Sequence, residues 1–219
     1  MTEELDSALT HFSAAVADPE NAAAHLNLAI WLQQAQRWDA AAQAFQRALW
    51  LDPAMDAARI GLGACLLKLD RVEDALEVFS QPQDVPGPEL FGKAVALQLL
   101  GRFDEAESAY AILLESQPAS AETLANLIAM SAETRDLENM REYSQKLLSI
   151  APQSAVALQG LATVALERRD NHAAAKYCDR IVELEPDCLE GWHNLRIALD
   201  RILSAFTISK PAASIPEVS

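Results

Sequence analysis

AAAHLNLAIWLQQAQRWDAAAQAFQRALWLDP, residues 22–53, reads as two helices joined by a short turn. The first places Leu28, Ile30, Trp31 and Leu32 on a broad apolar face, and the second places Ala41, Ala44, Phe45, Ala48, Leu49 and Leu51 at helical spacing. Gln36, Arg37, Trp38 and Asp39 lie between them. Pro53 stops the second helix, because its ring cannot continue the hydrogen-bond ladder. Ala29 and Ala41 stand where the two helices must touch. A helical hairpin of this size cannot hide its apolar faces alone and needs a neighbour.

The prolines supply the neighbours. Pro19 and Pro53 are 34 residues apart, as are Pro118 and Pro152, and Pro152 and Pro186. Pro53 and Pro118 are separated by 65, which is 34 plus 31, so one intermediate copy has lost three residues. An apolar residue stands two places before Pro53, Pro152 and Pro186 (Leu51, Ile150 and Leu184). The chain is a helical repeat.

A 34-residue helical repeat with this pattern resembles the tetratricopeptide repeat family. Counting Ala22 as position one, that family expects small residues at positions eight, twenty and twenty-seven, and here they are Ala29, Ala41 and Ala48. Later copies give Gly63 and Ala75, Ala94 and Ala106, and Ala162 and Ala174. Position seven is Leu28, Leu62, Leu127 and Leu161, with Lys93 as the exception. The fourth copy departs further. It puts Ile128 and Met140 at the close contact and Ser144 where the family has an aromatic, which offers to return the volume.

The resemblance implies an all-α fold, a right-handed α-solenoid of helix–turn–helix repeats with a terminal capping helix. Its expected divisions are one array over 1–206, with a half-repeat at 3–21, repeats at 22–55, 56–86, 87–120, 121–154 and 155–188, and a capping helix at 189–206. The half-repeat sets Leu5, Ala8, Leu9, Phe12, Ala15 and Val16 on one side. Pro82 cuts short the second helix of repeat two, and QPQDVPGP (81–88) reads as a stiff connector where the stack is expected to change angle. Pro88 suits the first position of the next helix. The capping helix carries Arg196 at position eight, fitting a solvent-facing end. Residues 207–219 lack helical periodicity and are expected to form a flexible tail.

Bulk properties narrow the function. The net charge is −15, the wrong sign for displacing counterions from phosphates, so nucleic acid is excluded as a partner. The charge suits solubility or a basic partner. No apolar run approaches the ~18 residues of a membrane helix, and the acidic start MTEELDSALTHF lacks the plan of a signal peptide. Cys65, Cys178 and Cys188 are odd in number and irregularly spaced; they read as thiols of a reducing compartment, and the cytoplasm is expected. His172, Cys178, Cys188 and His193 match no familiar zinc spacing, and no catalytic triad is assembled around a strained turn, so neither a metal, a cofactor nor an enzymatic activity is expected. Trp31, Trp38, Trp50 and Trp192 read as packing or turn residues.

The resemblance also implies that the first helices line a concave groove through positions two, five, six, nine, twelve and thirteen. Repeat one contributes Leu26, Asn27, Ile30 and Gln33, and repeat two Ile60, Gly61, Ala64 and Leu67. Repeat three contributes Phe91, Gly92, Val95, Gln98 and Leu99. Repeat four adds Glu122, Ala125, Asn126, Ala129 and Glu133, and repeat five Gln159, Gly160, Thr163 and Glu167. The capping helix adds Glu190, His193, Asn194 and Asp200. The wall is apolar toward the N-terminus and acidic toward the C-terminus. Covering an exposed Leu, Ile or Phe is worth about 1.5–3 kcal/mol, against about 0–1 kcal/mol for an exposed ion pair, so apolar anchors are expected to supply affinity.

Some arrays of this family grip a ligand backbone with asparagine at position six. Asn27, Asn126 and Asn194 match, while Gly61, Gly92 and Gly160 break the ladder and are expected to deepen the groove for a bulkier guest such as an amphipathic helix. Lys68 and Arg201 are too isolated to clamp a terminal carboxylate as the family's chaperone-tail binders do. The reading is a non-enzymatic adaptor that holds a protein or peptide, basic or amphipathic. The alternatives are a self-associating scaffold, with a homo-oligomer open, and an accessory subunit that presents substrates to a separate enzyme.

Overall fold

The structure is a computed structural model that describes residues 10–11, 13–81 and 87–208. Among the described residues it is helical with no strand. Residues 10–11 and 13–17 belong to a first helix, α1. Then come α2 (Ala22–Gln34), α3 (Trp38–Leu51), α4 (Asp56–Lys68), α5 (Val72–Phe79), α6 (Pro88–Leu99) and α7 (Phe103–Ser116). They are followed by α8 (Ala121–Thr134), α9 (Leu137–Ile150), α10 (Ala155–Glu167), α11 (Asn171–Leu184) and α12 (Leu189–Ile208). The chain divides into two compact units between Pro118 and Ala119.

Each turn between paired helices is made the same way. Gln36, Asp70, Arg135 and Arg169 take the left-handed conformation, and Gly101 takes it in repeat three. Helix starts are fixed by short polar side chains that accept from exposed backbone N–H groups. Asn21 accepts from Ala24 N, Ser154 from Ala157 N and Asp170 from Ala173 N. Pro88 is the first residue of α6, where its missing N–H costs nothing.

The period prolines hold the repeats as well as ending helices. The Pro53 carbonyl accepts from Arg59 at 2.9 Å and the Pro186 carbonyl from the Trp192 indole N–H at 2.8 Å, each donor six residues on. The Pro19 and Pro152 carbonyls accept from Arg47 (3.1 Å) and Arg180 (2.7 Å), each 28 residues on. These donors satisfy turn carbonyls that would otherwise depend on water.

In the first unit Ala29, Ala41 and Ala48 are fully buried, so α2 and α3 approach closely enough to share one core with Phe45, Leu62, Leu66 and Phe79. In the second unit Leu158, Ala162, Cys178, Ile181 and Leu195 form the corresponding layer. The fourth copy keeps regular helices of 14 residues despite its unusual residues. Ile128, Met140 and Ser144 are all buried there, the small serine making room for the two larger side chains.

Some expectations change, and others fall outside the described residues. Helix α5 has eight residues against 14 in α3, so repeat two is shortened, but the helix already ends at Phe79, ahead of Pro82. Residues 82–86 of the connector, where the stack is expected to change angle, lie outside the described residues; α5 packs on both α4 and α6. In α1 Ala15 is buried but Val16 is exposed, because the helix turns it away from the packed side; Leu5, Ala8, Leu9 and Phe12 lie outside the described residues. The last helix extends to Ile208, and of the expected tail residues 209–219 lie outside the description.

Candidate functional site

In each unit the first helices of successive repeats touch one another. Helix α4 contacts α2 and α6, and α10 contacts α8 and α12. Among the described residues the second helices, α3 and α5 or α9 and α11, make no such contact with each other. Helices that converge on one side and separate on the other form a curved layer, with the first helices as its inner wall.

The inner wall of the first unit brings together the expected residues of repeats one to three. Ile30 is 39% exposed and Leu99 61%, so both present apolar surface to solvent. Asn27 is exposed, and Gln33, Ile60, Ala64, Val95 and Gln98 are half-buried. Leu26 and Leu67 pack partly against the core. Phe91 meets the buried Tyr110 ring edge-on, with centroids 6.2 Å apart, and the Tyr110 hydroxyl donates to Gln98 Oε1 at 3.1 Å. These contacts hold Phe91 and Gln98 in place before any partner arrives. Among the described residues at the six wall positions of these repeats, Lys68 carries the one charge.

The second unit has a different wall. Asn126, Gln159, Thr163 and Asn194 are half-buried and Ala129 is exposed. Gln159 donates to Glu190 at 3.1 Å, tying α10 to α12. Glu122, Glu133, Glu167 and Asp200 are exposed along the same face. Arg201 is engaged at the Leu166 carbonyl, 3.2 Å away, where it covers the open end of α10.

The glycines at position six do not deepen the groove. Gly61, Gly92 and Gly160 are buried, and each is the seat of a side chain from the preceding second helix. A Cβ on Gly61 would stand 2.2 Å from Phe45 Cζ, and one on Gly92 would stand 2.4 Å from Phe79 Cζ. A Cβ on Gly160 would meet Ser144 Oγ at 2.2 Å. Phe79 is held between two such seats, because Gly63 meets the same ring. Those glycines let helices approach; they leave no recess for a guest.

The tryptophans also differ from expectation. Trp38 packs against the core, but Trp50 is exposed on α3 with the Arg47 guanidinium 4.3 Å above its ring, and Trp192 is exposed on α12. Of the larger apolar residues of α12, the structure buries Leu195 and leaves Trp192 and Leu199 outside. The signal that separates them is the spacing 189, 192, 196, 199, 203, a seven-residue repeat distinct from the buried 191, 195, 198.

Burial pushes the Cys65 thiol up to about 11 and raises Cys178 as well, so both are protonated, unreactive packing groups. Cys188 is half-buried at the start of α12, where its Sγ accepts from the Gly191 N–H at 3.4 Å. Among the described residues no three His, Cys, Asp or Glu side chains are grouped as metal ligands. No described helix is long and apolar enough to cross a membrane.

Comparison with families of known proteins matches the tetratricopeptide repeat over residues 32–87 and, in a second form, over 2–54 and 91–155. The chain belongs to the tetratricopeptide repeat family. No curated protein matches it in sequence. Among solved structures, PilW, described as a widely conserved type IV pilus biogenesis factor, is similar with a TM-score of 0.76 at 20% identity, covering 90% of this chain and 91% of PilW. PilF of Pseudomonas aeruginosa is similar with a TM-score of 0.72 at 19% identity, covering 88% and 89% of the two chains. YrrB, described as a tetratricopeptide repeat protein with an unusual peptide-binding site, aligns at 16% identity with a TM-score of 0.65, covering 84% of this chain and 96% of YrrB. Identities this low show a shared repeat fold. In general, repeats of this family serve as protein–protein interaction scaffolds, and protein or peptide partners follow from that.

Proposed function

We propose that this tetratricopeptide repeat protein is a non-catalytic adaptor whose first unit holds an amphipathic helix or peptide against α2, α4 and α6. The observation that carries the reading is the near-absence of charge on that wall. In a chain of net charge −15, its six wall positions per repeat expose Ile30 and Leu99 and offer only Lys68 as an ion. Apolar surface that recurs along one face of a soluble protein marks an interaction site. Phe91, held against Tyr110, gives it a rigid aromatic anchor, which loses little entropy on binding. The exposed carboxylates of the second unit's wall favour basic segments there, steering association more than adding affinity. Free cysteines at 65, 178 and 188 suit a reducing compartment, and the cytoplasm is part of the proposal. The peptide-binding site ascribed to YrrB is consistent with this use of the fold.

The test is calorimetric titration of the partner recovered from native lysate against wild type, Ile30→Asp and Leu99→Asp. Both side chains reach solvent, so these variants keep the core intact, unlike Phe91→Ala, which removes the contact to Tyr110. Each is expected to weaken binding at least about tenfold, which corresponds to roughly 1.4 kcal/mol. Unchanged affinity in both would place the binding surface elsewhere.

A further inference from the structure

Helix α12 docks on α10 and α11 through one stripe and shows a second to solvent. Gly191, Leu195 and Ala198 are buried. About a third of a turn around the helix lie Leu189 (84% exposed), Trp192 (50%), Leu199 (45%) and Leu203 (64%). The spacing from Leu189 through Trp192, Arg196 and Leu199 to Leu203 runs three, four, three, four, which is the seam of a two-stranded coiled coil. In every complete repeat the corresponding face of the first helix is covered by its own second helix, with Ala or Gly at position eight in four repeats and Ile128 in the fourth. Here position eight is Arg196, exposed and 3.3 Å from Asp200 one turn on. No complete repeat carries a charge at that position, so a helix of the chain's own second-helix type, whose facing side is apolar, does not fit.

We infer that the α12 seam is a self-association surface that pairs antiparallel with α12 of a second copy. The charges choose this occupant. In an antiparallel pair related by a two-fold axis, a seam residue inserts among four partner residues spaced three, four and seven apart. Centring the axis between positions 196 and 199 sets Arg196 among the partner's Arg196, Leu199, Asp200 and Leu203. Arg196 of each copy then faces Asp200 of the other, the two intrahelical pairs become two reciprocal intermolecular pairs, and Trp192 covers Leu203 on both sides. The antiparallel pairing also brings the two Arg196 side chains near each other, and the reciprocal Arg196–Asp200 pairs offset that repulsion; a parallel pairing would stack Arg196 on its own copy without them and is disfavoured. The seam is short, so the dimer is weak and concentration-dependent, not obligate. Its flanking Asp200 borders the second unit's wall, while the proposed adaptor site on α2, α4 and α6 is left free.

Sedimentation velocity on the full chain over about 1–300 μM tests it. Wild type is expected to shift from monomer to dimer with rising concentration, and Leu199→Glu to weaken the dimer at least tenfold. Arg196→Glu alone and Asp200→Arg alone are each expected to stay monomeric over that range, with helical circular dichroism equal to wild type. Mixed in equal amounts, these two charge variants restore dimers, because both inter-chain pairs then join opposite charges. A wild type that stays monomeric at all concentrations would overturn the inference; the seam would then be left to another protein or to the chain itself. A dimer that survives Leu199→Glu, or charge variants that do not rescue each other, would overturn it equally.

Discussion

Gln36, Asp70, Arg135 and Arg169 hold φ between +57° and +59°, a region that costs an L-residue with a Cβ about 1–2 kcal/mol. They recur at the same place in their repeats because the turn requires a reversal there, and only Gly101 meets the requirement without strain. A Cβ on Gly101 would find open space, so substituting it tests backbone conformation alone. Gly101→Ala is expected to lower stability by about 1 kcal/mol, and Gln36→Gly to raise it by about 0.5–1 kcal/mol after the added chain entropy of glycine is offset. Urea unfolding of both variants measures this. A stabilised Gly101→Ala or a destabilised Gln36→Gly would mean that the turn, not the residue, carries the strain.

Between elements, the spacing rule is simple. The residue sixteen places before Gly61 and Gly160 is the side chain seated on it, Phe45 and Ser144 respectively. For Gly92 the distance to Phe79 is thirteen, shorter by the same three residues that repeat two has lost. Gly61→Ala is therefore expected to cost about 1–3 kcal/mol through overpacking against Phe45, and Phe45→Leu in the same chain to recover part of it. A Gly61→Ala variant as stable as wild type, by thermal unfolding, would contradict the seat. The repeat positions were legible because small residues at 29, 41 and 48 have one structural reason, close approach of helices. Position six was not, because it borders both the groove and the preceding second helix. An aromatic sixteen residues back decides between the two, and Phe45 before Gly61 was the available clue. Val16, Trp192 and Leu199 were hidden from simple apolar counting for a related reason. At a terminal helix the pattern marks two faces, and sequence alone does not say which has a partner.

At the scale of each whole unit, repetition produces two walls of different chemistry from one fold. The first unit's wall is apolar and nearly uncharged, while the second unit's exposes Glu122, Glu133, Glu167 and Asp200. Affinity follows from covered apolar area and orientation from charge, so the first wall is where a partner is expected to be held. The outer face of the same unit supplies an internal control, because Trp50 is as open to solvent as Leu99 yet sits on a second helix beneath Arg47. The most direct measurement is site-specific photo-cross-linking in native lysate, with a benzophenone side chain placed at position 30 or at position 50 of the full chain. A discrete adduct from position 30 and none from position 50 is the expected result. An adduct from position 50 with none from position 30 would contradict the claim that the first helices form the binding face.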